Sequence, residues 1–245
     1  MRELGRTERA LDDLWRPYQH GWRRLLSKHV FEELALRADF DTELLVESKV
    51  ANRVAAGLVP DCPRCENTCC AGYENVVSLR LKDVAVLMDV ERTDLINKNK
   101  PRFPPQTLAE RPGLVELTKS VLWRTLPVLE QIGPLRRCAA LDDDLRCSIH
   151  PAWPTSCERF PYSLSAVRRE VVWGTRCQSR ILRPEHRKRS RELFASAVAA
   201  YNERIRDAVL LHYQRPALDA LGIGAFLSDP DGDPFEPPPK LPVVS

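Results

Sequence analysis

No stretch of this sequence approaches the ~20 consecutive apolar residues that a membrane-spanning helix needs, so no membrane span is expected. The opening residues Met1-Arg2-Glu3-Leu4-Gly5-Arg6-Thr7-Glu8 carry mixed charge and lack the apolar centre of a secretory leader. The expectation is a cytoplasmic protein, where thiols stay reduced and disulfides are uncommon. An excess of one charge is lacking too. Lys+Arg number 37 and Asp+Glu 34, and the net +3 is too small by itself to imply a nucleic-acid partner. A true calcium loop is also missing. Asp229-Pro230-Asp231-Gly232-Asp233 imitates its start, but the glycine falls two places early, Pro234 takes its position, and Lys240 stands where the bidentate Glu belongs. What remains is an ordinary composition, 43% hydrophobic and 29% charged, on a chain of 245 residues that can bury a substantial core.

What the sequence does have is cysteine, eight in all, four of them within Cys62-Pro63-Arg64-Cys65-Glu66-Asn67-Thr68-Cys69-Cys70. Packing alone does not call for so many thiols, and cysteine is more often retained for its reactivity. Cys62 and Cys65, two residues apart, can close on one metal ion, and Cys69 adds a third thiol. Adjacent Cys69 and Cys70 point in different directions, so one faces this first site while the other reaches elsewhere. The remaining four, Cys138, Cys147, Cys157 and Cys177, are spread over forty residues but sit in segments rich in turn signals. The stretches 136–141 and 145–150 flank Asp142-Asp143-Asp144 and are expected to form a hairpin that brings Cys138 to Cys147. The proline-bounded turn 151–161 returns Cys157 to the same place. A second hairpin, 162–167 with 170–175, then delivers Cys177.

The flanks look different. Leu11, Leu14, Trp15, Tyr18, Trp22, Leu25, Leu26 and Val30 recur at helical spacing, with Pro17 setting the first turn apart. A second helix is expected after Asp41, carrying Leu44, Leu45, Val50 and Val54 and stopping at Gly57. Val76–Leu79 is a strand candidate. Leu81–Met88 is an expected helix with Val84, Leu87 and Met88 inward. The proline-rich stretch 98–113 is an expected loop, followed by a helix over 114–126. Past Cys177 come Arg180, Arg183, His186, Arg187, Lys188, Arg189 and Arg191, read as a solvated face. A long helix from about Pro184 to His212 follows, with Phe194, Ala197, Val198, Tyr201, Ile205, Val209 and His212 as its stripe. The expected fold is α+β: a cysteine-rich metal-binding core of short hairpins and helices, flanked by N- and C-terminal helices. Its divisions are a helical segment 1–57, a cysteine-cluster domain 58–182, a helical segment 183–228 and a disordered Pro-rich tail 229–245.

Cys62-x2-Cys65-x3-Cys69-Cys70, followed by Cys138, Cys147-Ser148-Ile149-His150, Trp153-Pro154-x2-Cys157-Glu158-Arg159-Phe160-Pro161 and Cys177, resembles the YkgJ-type cysteine-cluster family, described as a zinc- or iron-chelating domain. The resemblance covers roughly residues 60–180. The chain departs from it at Trp153, where relatives usually carry Arg, and at His150, where Tyr is common. Of the two roles open to His150, supporting a ligand is the expected one. The resemblance implies that all eight cysteines, Cys62, Cys65, Cys69, Cys70, Cys138, Cys147, Cys157 and Cys177, are metal ligands. Thiolates suit zinc and iron–sulfur clusters alike. Cys62, Cys65 and Cys69 with one later cysteine match the three-plus-one pattern of a 4Fe–4S cluster, the expected cofactor, with zinc as the alternative. Flagellin lysine N-methylases are similar in their cysteine region, which makes redox chemistry or protein modification one expected function. A structural zinc domain without catalytic activity is the other. A protein partner or substrate is expected, nucleic acid and membrane are not, and catalytic residues are not identified.

Overall fold

The computed structural model describes residues 4–21, 44–62, 70, 76–100, 103, 105–110, 115, 118–134, 136–144, 146–165, 168–174 and 177–228. Helix α1 (Arg6–Trp15) turns Leu11 and Trp15 inward, as their spacing requires, and runs into a 3-10 turn, Arg16–Tyr18, with Pro17 in its first positions. Trp22, Leu25, Leu26 and Val30 lie outside the described residues.

The helix expected after Asp41 does not form. From Leu44 the chain is largely extended, through a 3-10 turn at Glu47–Lys49, strand β1 (Ala51–Asn52) and strand β2 (Leu58–Pro60). Leu45, Val50 and Val54 are buried as foreseen, but from an extended backbone, which β-branched valines favour. Gly57 stops no helix. Its φ is +90°, and a Cβ there would lie 2.3 Å from the carbonyl oxygen of Arg183, so the position needs glycine for close backbone approach. Among the described residues the expected helical segment 1–57 is therefore one helix followed by extended chain.

Helix α2 (Leu81–Asp89) forms where its periodicity places it, with Val84 and Leu87 fully buried. Its last residue, Asp89, accepts from the backbone N–H groups of Thr7 at 2.9 Å and Glu8 at 3.0 Å. One helix thus supplies the N-terminal cap of the other. The strand expected at 76–79 reduces to a single bridge between Ser78 and Val128. The expected loop 98–113 contains a short helix, α3 (Pro105–Glu110), beginning on a proline, where no N–H is needed. The helix expected over 114–126 is interrupted at Ser120, whose extended backbone and hydroxyl, accepting from Trp123 N–H at 3.3 Å, start α4 (Val121–Thr125).

Strand β3 (Ile96–Asn97) pairs with β4 (Val128–Leu129), and β5 (Gln131–Ile132) with β6 (Arg137–Cys138). The first cysteine hairpin forms in shortened form: Leu141 and Cys147 bridge across the acidic turn, Ser148 N–H donates to Ala140 O at 2.8 Å, and Cys138 itself pairs with Gln131. That turn is closed by Asp142, whose N–H donates to Arg146 O at 2.9 Å and whose carboxylate accepts from Arg146 N–H at 2.7 Å. A short helix, α5 (Thr155–Glu158), carries Cys157. The second hairpin forms as expected, β7 (Tyr162–Ser165) with β8 (Glu170–Trp173), and β1 joins β8 in parallel to make a three-stranded sheet. Strand β9 (Arg180–Leu182) pairs antiparallel with β2, Leu58 opposite Leu182.

Helix α6 (Arg187–Tyr213) and α7 (Arg215–Ala220) complete the α+β fold. Ala197, Val198, Tyr201, Ile205 and Val209 of α6 are buried as expected, while His212 is exposed. Its start is solvated: Arg187 and Lys188 are exposed, and Arg189 lies 3.4 Å from Glu192. Among the described residues no helix is long and apolar enough to cross a membrane. The tail 229–245 lies outside them.

Candidate metal centre and the polar layer behind it

The position of Cys157 is fixed from α2. The Asp83 carboxylate accepts from Arg80 N–H at 2.8 Å with one oxygen. With the other it accepts from both Thr155 N–H and Thr155 Oγ1–H, each at 2.8 Å. Asp83 therefore ties the start of α2 to the start of α5 and sets the direction in which Cys157 leaves the helix. Burial pushes the Cys157 thiol well above its ordinary pKa, and neighbouring Cys70, Cys138, Asp83 and Cys147 push it further in the same direction. The thiols of Cys70, Cys138 and Cys147 thus each lie within electrostatic reach of Cys157.

Two backbone features hold them there. Cys138 N–H donates to the carbonyl of Cys70 at 2.7 Å, and Leu141 N–H donates to Cys138 O at 3.1 Å, closing a turn that leads into the Leu141–Cys147 bridge. The Cys138 thiol is raised by burial, opposed by the backbone N–H groups of Ala140 and Leu141, which favour its thiolate. Thiols as a donor set suit a soft ion. As they stand, however, no three His, Cys, Asp or Glu groups among the described residues reach mutual ligand distance.

Cys177 follows the second hairpin in sequence. It is buried beside Trp173, whose indole N–H donates to Cys177 O at 2.9 Å, and its thiol donates to Ser179 O at 3.2 Å. Asp61 N–H in turn donates to Ser179 O at 3.3 Å, and the Ser179 hydroxyl donates to Asp61 O at 3.1 Å. The chain carrying Cys177 therefore runs beside the chain that leads into exposed Cys62. Cys65 and Cys69 lie outside the described residues. His150 is exposed and packs its ring edge-on against Trp153, 4.6 Å between centroids.

Sequence reasoning missed the layer behind the thiols. Thr155 Oγ1 lies 2.8 Å from Asp83 and also 2.8 Å from Glu203 of α6. One hydroxyl has one proton, so the second contact needs a proton on a carboxyl group. Asp83 is raised to about 6, first by burial and then by Glu203. Deeper still, Asp207 is 0% exposed and its carboxyl is raised to about 7 by burial, against the pull of Arg80 and Arg206. Arg80 Nη1 stands 3.8 Å from it. The signal was Glu203, Arg206 and Asp207 interleaved with Tyr201, Ile205 and Val209 along one helix. Such charges read as a solvated face until the helix is seen buried on more than one side.

A cavity of about 80 Å³ opens against α5, walled by Arg80, Thr155, Ser156, Arg159, Ser163 and Arg204 among others. Comparison with protein-family models, with curated proteins and with solved structures gives no match for this chain.

Proposed function

We propose that this protein binds metal through its cysteines, as the resemblance to the YkgJ-type family implies, and that the metal is an iron–sulfur cluster serving redox chemistry or protein modification. The observation that supports the reading is that Cys70, Cys138 and Cys147, from separate parts of the chain, all lie close enough to Cys157 of α5 to act on its thiol. Cys62, Cys65 and Cys69 supply three closely spaced thiols in sequence. Cys177 is the later cysteine whose backbone runs beside Asp61, which supports it as their fourth partner. When bound, a cluster of this kind supplies one-electron transfer. The chain's part is to gather thiols from separate elements onto one locus.

A second reading is a structural zinc site at Cys70, Cys138, Cys147 and Cys157. Burial of Cys157 favours it, since a thiol held in the interior suits a closed site more than an exchanging one. Metal analysis with an anaerobic visible spectrum decides between them. Iron with acid-labile sulfide and a brown colour supports the cluster, stoichiometric zinc in a colourless protein supports the structural site, and neither metal at any stoichiometry overturns both.

A further inference from the structure

We propose that the surface formed by β9 and the first turns of α6 docks an extended acidic segment of a partner protein. Residues 180–192 hold six Lys or Arg and two Glu, an excess of four positive charges against a net +3 for the whole chain. The net positive charge of the protein is therefore that of this one stretch. Arg183 lies 3.6 Å from Glu185 and Arg189 3.4 Å from Glu192, both pairs exposed. Those two pairs occupy both acids. Arg180, Arg187, Lys188 and Arg191 are exposed and, among the described residues, have no side-chain hydrogen bond or ion pair.

Within the chain these charges are unfavourably placed. The first turn of α6 carries no acidic residue, so Arg187, Lys188 and Arg189 stand against the positive end of the helix dipole. Arg191 follows Arg187 by four residues and Lys188 by three, so three like charges share one face and repel. An anionic partner relieves both effects. Gly57 N–H donates to Ser190 Oγ at 3.0 Å and Arg183 N–H donates to Gly57 O at 3.2 Å, which holds the end of β9 beside the start of α6. Arg180 and Leu182 alternate onto the outward face of β9. Leu182, 60% exposed, is the most exposed large apolar side chain among the described residues. A lone exposed leucine means little, but one flanked by cations offers the apolar centre and charged rim of a docking face. Strand β9 pairs with β2 alone among the described residues, so its other edge is open to an extended segment. Neither a nucleic acid nor a lipid surface pairs with a strand edge, which favours a protein. Arg180 stands opposite Pro60, two residues before exposed Cys62, so a docked partner is brought to that end of the thiol region. In this placement alone the inference rests on the metal reading; the docking itself does not.

Fluorescence anisotropy of a labelled synthetic peptide of repeated Glu-Glu-Leu, titrated with the full-length protein as isolated, tests the surface. Saturable binding is expected at about 20 mM salt, weakened at least about tenfold at about 200 mM. The double change Lys188→Glu with Arg191→Glu should abolish it, and Leu182→Ser should weaken it several-fold. The double variant should melt at or above the temperature of the parent, because it relieves the like-charge repulsion and suits the helix start. Lost binding then reports the surface and not the fold. If the double variant does not fold, Leu182→Ser and Arg180→Gln, both at exposed positions, carry the same test. Metal is measured on the same samples. Binding by metal-free parent protein supports the docking while the metal reading fails, and metal-loaded parent that does not bind overturns the docking alone. No saturation at low salt, equal affinity for a Gln-Gln-Leu peptide, or unchanged affinity in the folded variants overturns the proposal. So does tighter binding of a single-stranded oligonucleotide or of phosphatidylglycerol–phosphatidylcholine vesicles.

Discussion

Cys138 donates its backbone N–H to the carbonyl oxygen of Cys70 at 2.7 Å, joining the first cysteine cluster to the second. The backbone N–H of Cys138 is thus given to Cys70 and not to its hairpin neighbour Cys147. The thiol of Cys157 lies within electrostatic reach of both. Replacing Cys138, Cys147 or Cys157 with Ala is therefore expected to lower bound metal in every case, read by elemental analysis of purified protein. Full metal content in all three variants would remove these residues from the ligand set.

Thr155→Val tests the tie between α2 and α5. The substitution keeps shape but removes the hydroxyl that faces Asp83 and Glu203, leaving two buried carboxyl groups short of a partner. A loss of about 1–3 kcal/mol in unfolding free energy is expected. Denaturant melts of the variant and parent check it, and stability within error of the parent would show that the hydroxyl is dispensable.

Asp207 gives a pH dependence of unusual sign for a carboxylate. Its pKa lies near 3.8 in the unfolded chain and about 7 in the fold, so between these values the folded state holds a proton that the unfolded state has lost. Stability from this group is fully present below pH ~4 and declines as pH rises to about 7. The decline is on the order of 1.4 kcal/mol for each pH unit between the two values. Asp207→Asn, which stays neutral, should flatten the melting temperature between pH 5 and 8 relative to the parent. Parallel profiles for the two proteins would contradict the assignment.

Gly57→Ala should be strongly destabilising at this buried position. It places a Cβ 2.3 Å from Arg183 O at a residue with φ +90°, so both sterics and backbone preference oppose it. A loss of at least about 1–3 kcal/mol is expected from the backbone alone. Thermal melts check it, and a variant as stable as the parent would mean that the β2–β9 approach can relax.

Much of the architecture was legible where a single local rule decides. Val84 and Leu87 on α2, the alternation through Tyr162–Ser165 and Glu170–Trp173, and the stripe from Ala197 to Val209 all express a period that the structure keeps. Residues 44–57 misled for the same reason. Leu45, Val50 and Val54 fall near helical spacing, yet pairing of Ala51 with Glu170 and of Leu58 with Leu182 draws the segment into strands. No local signal announces partners so remote. At the site, the cysteines announced themselves, but Asp83, Glu203 and Asp207 did not. Their burial depends on α6 being enclosed by α1, α5 and the sheet, which no window of sequence contains.

The pairing of Leu58 with Leu182 has a consequence for the order in which the protein is made. Every residue of the cysteine region lies between these two, so the clasp at its base is the last part of that region to become possible during synthesis. At ~5–20 residues per second, Leu58 leaves the ribosome on the order of ten seconds before Leu182 does. Closing so long a loop is entropically costly, while the contacts around Cys138 and Cys147 are short-range and cheap to form. The turn that joins Cys138 to Cys147 can therefore close while the base is still open, and the two strands zip together only afterwards.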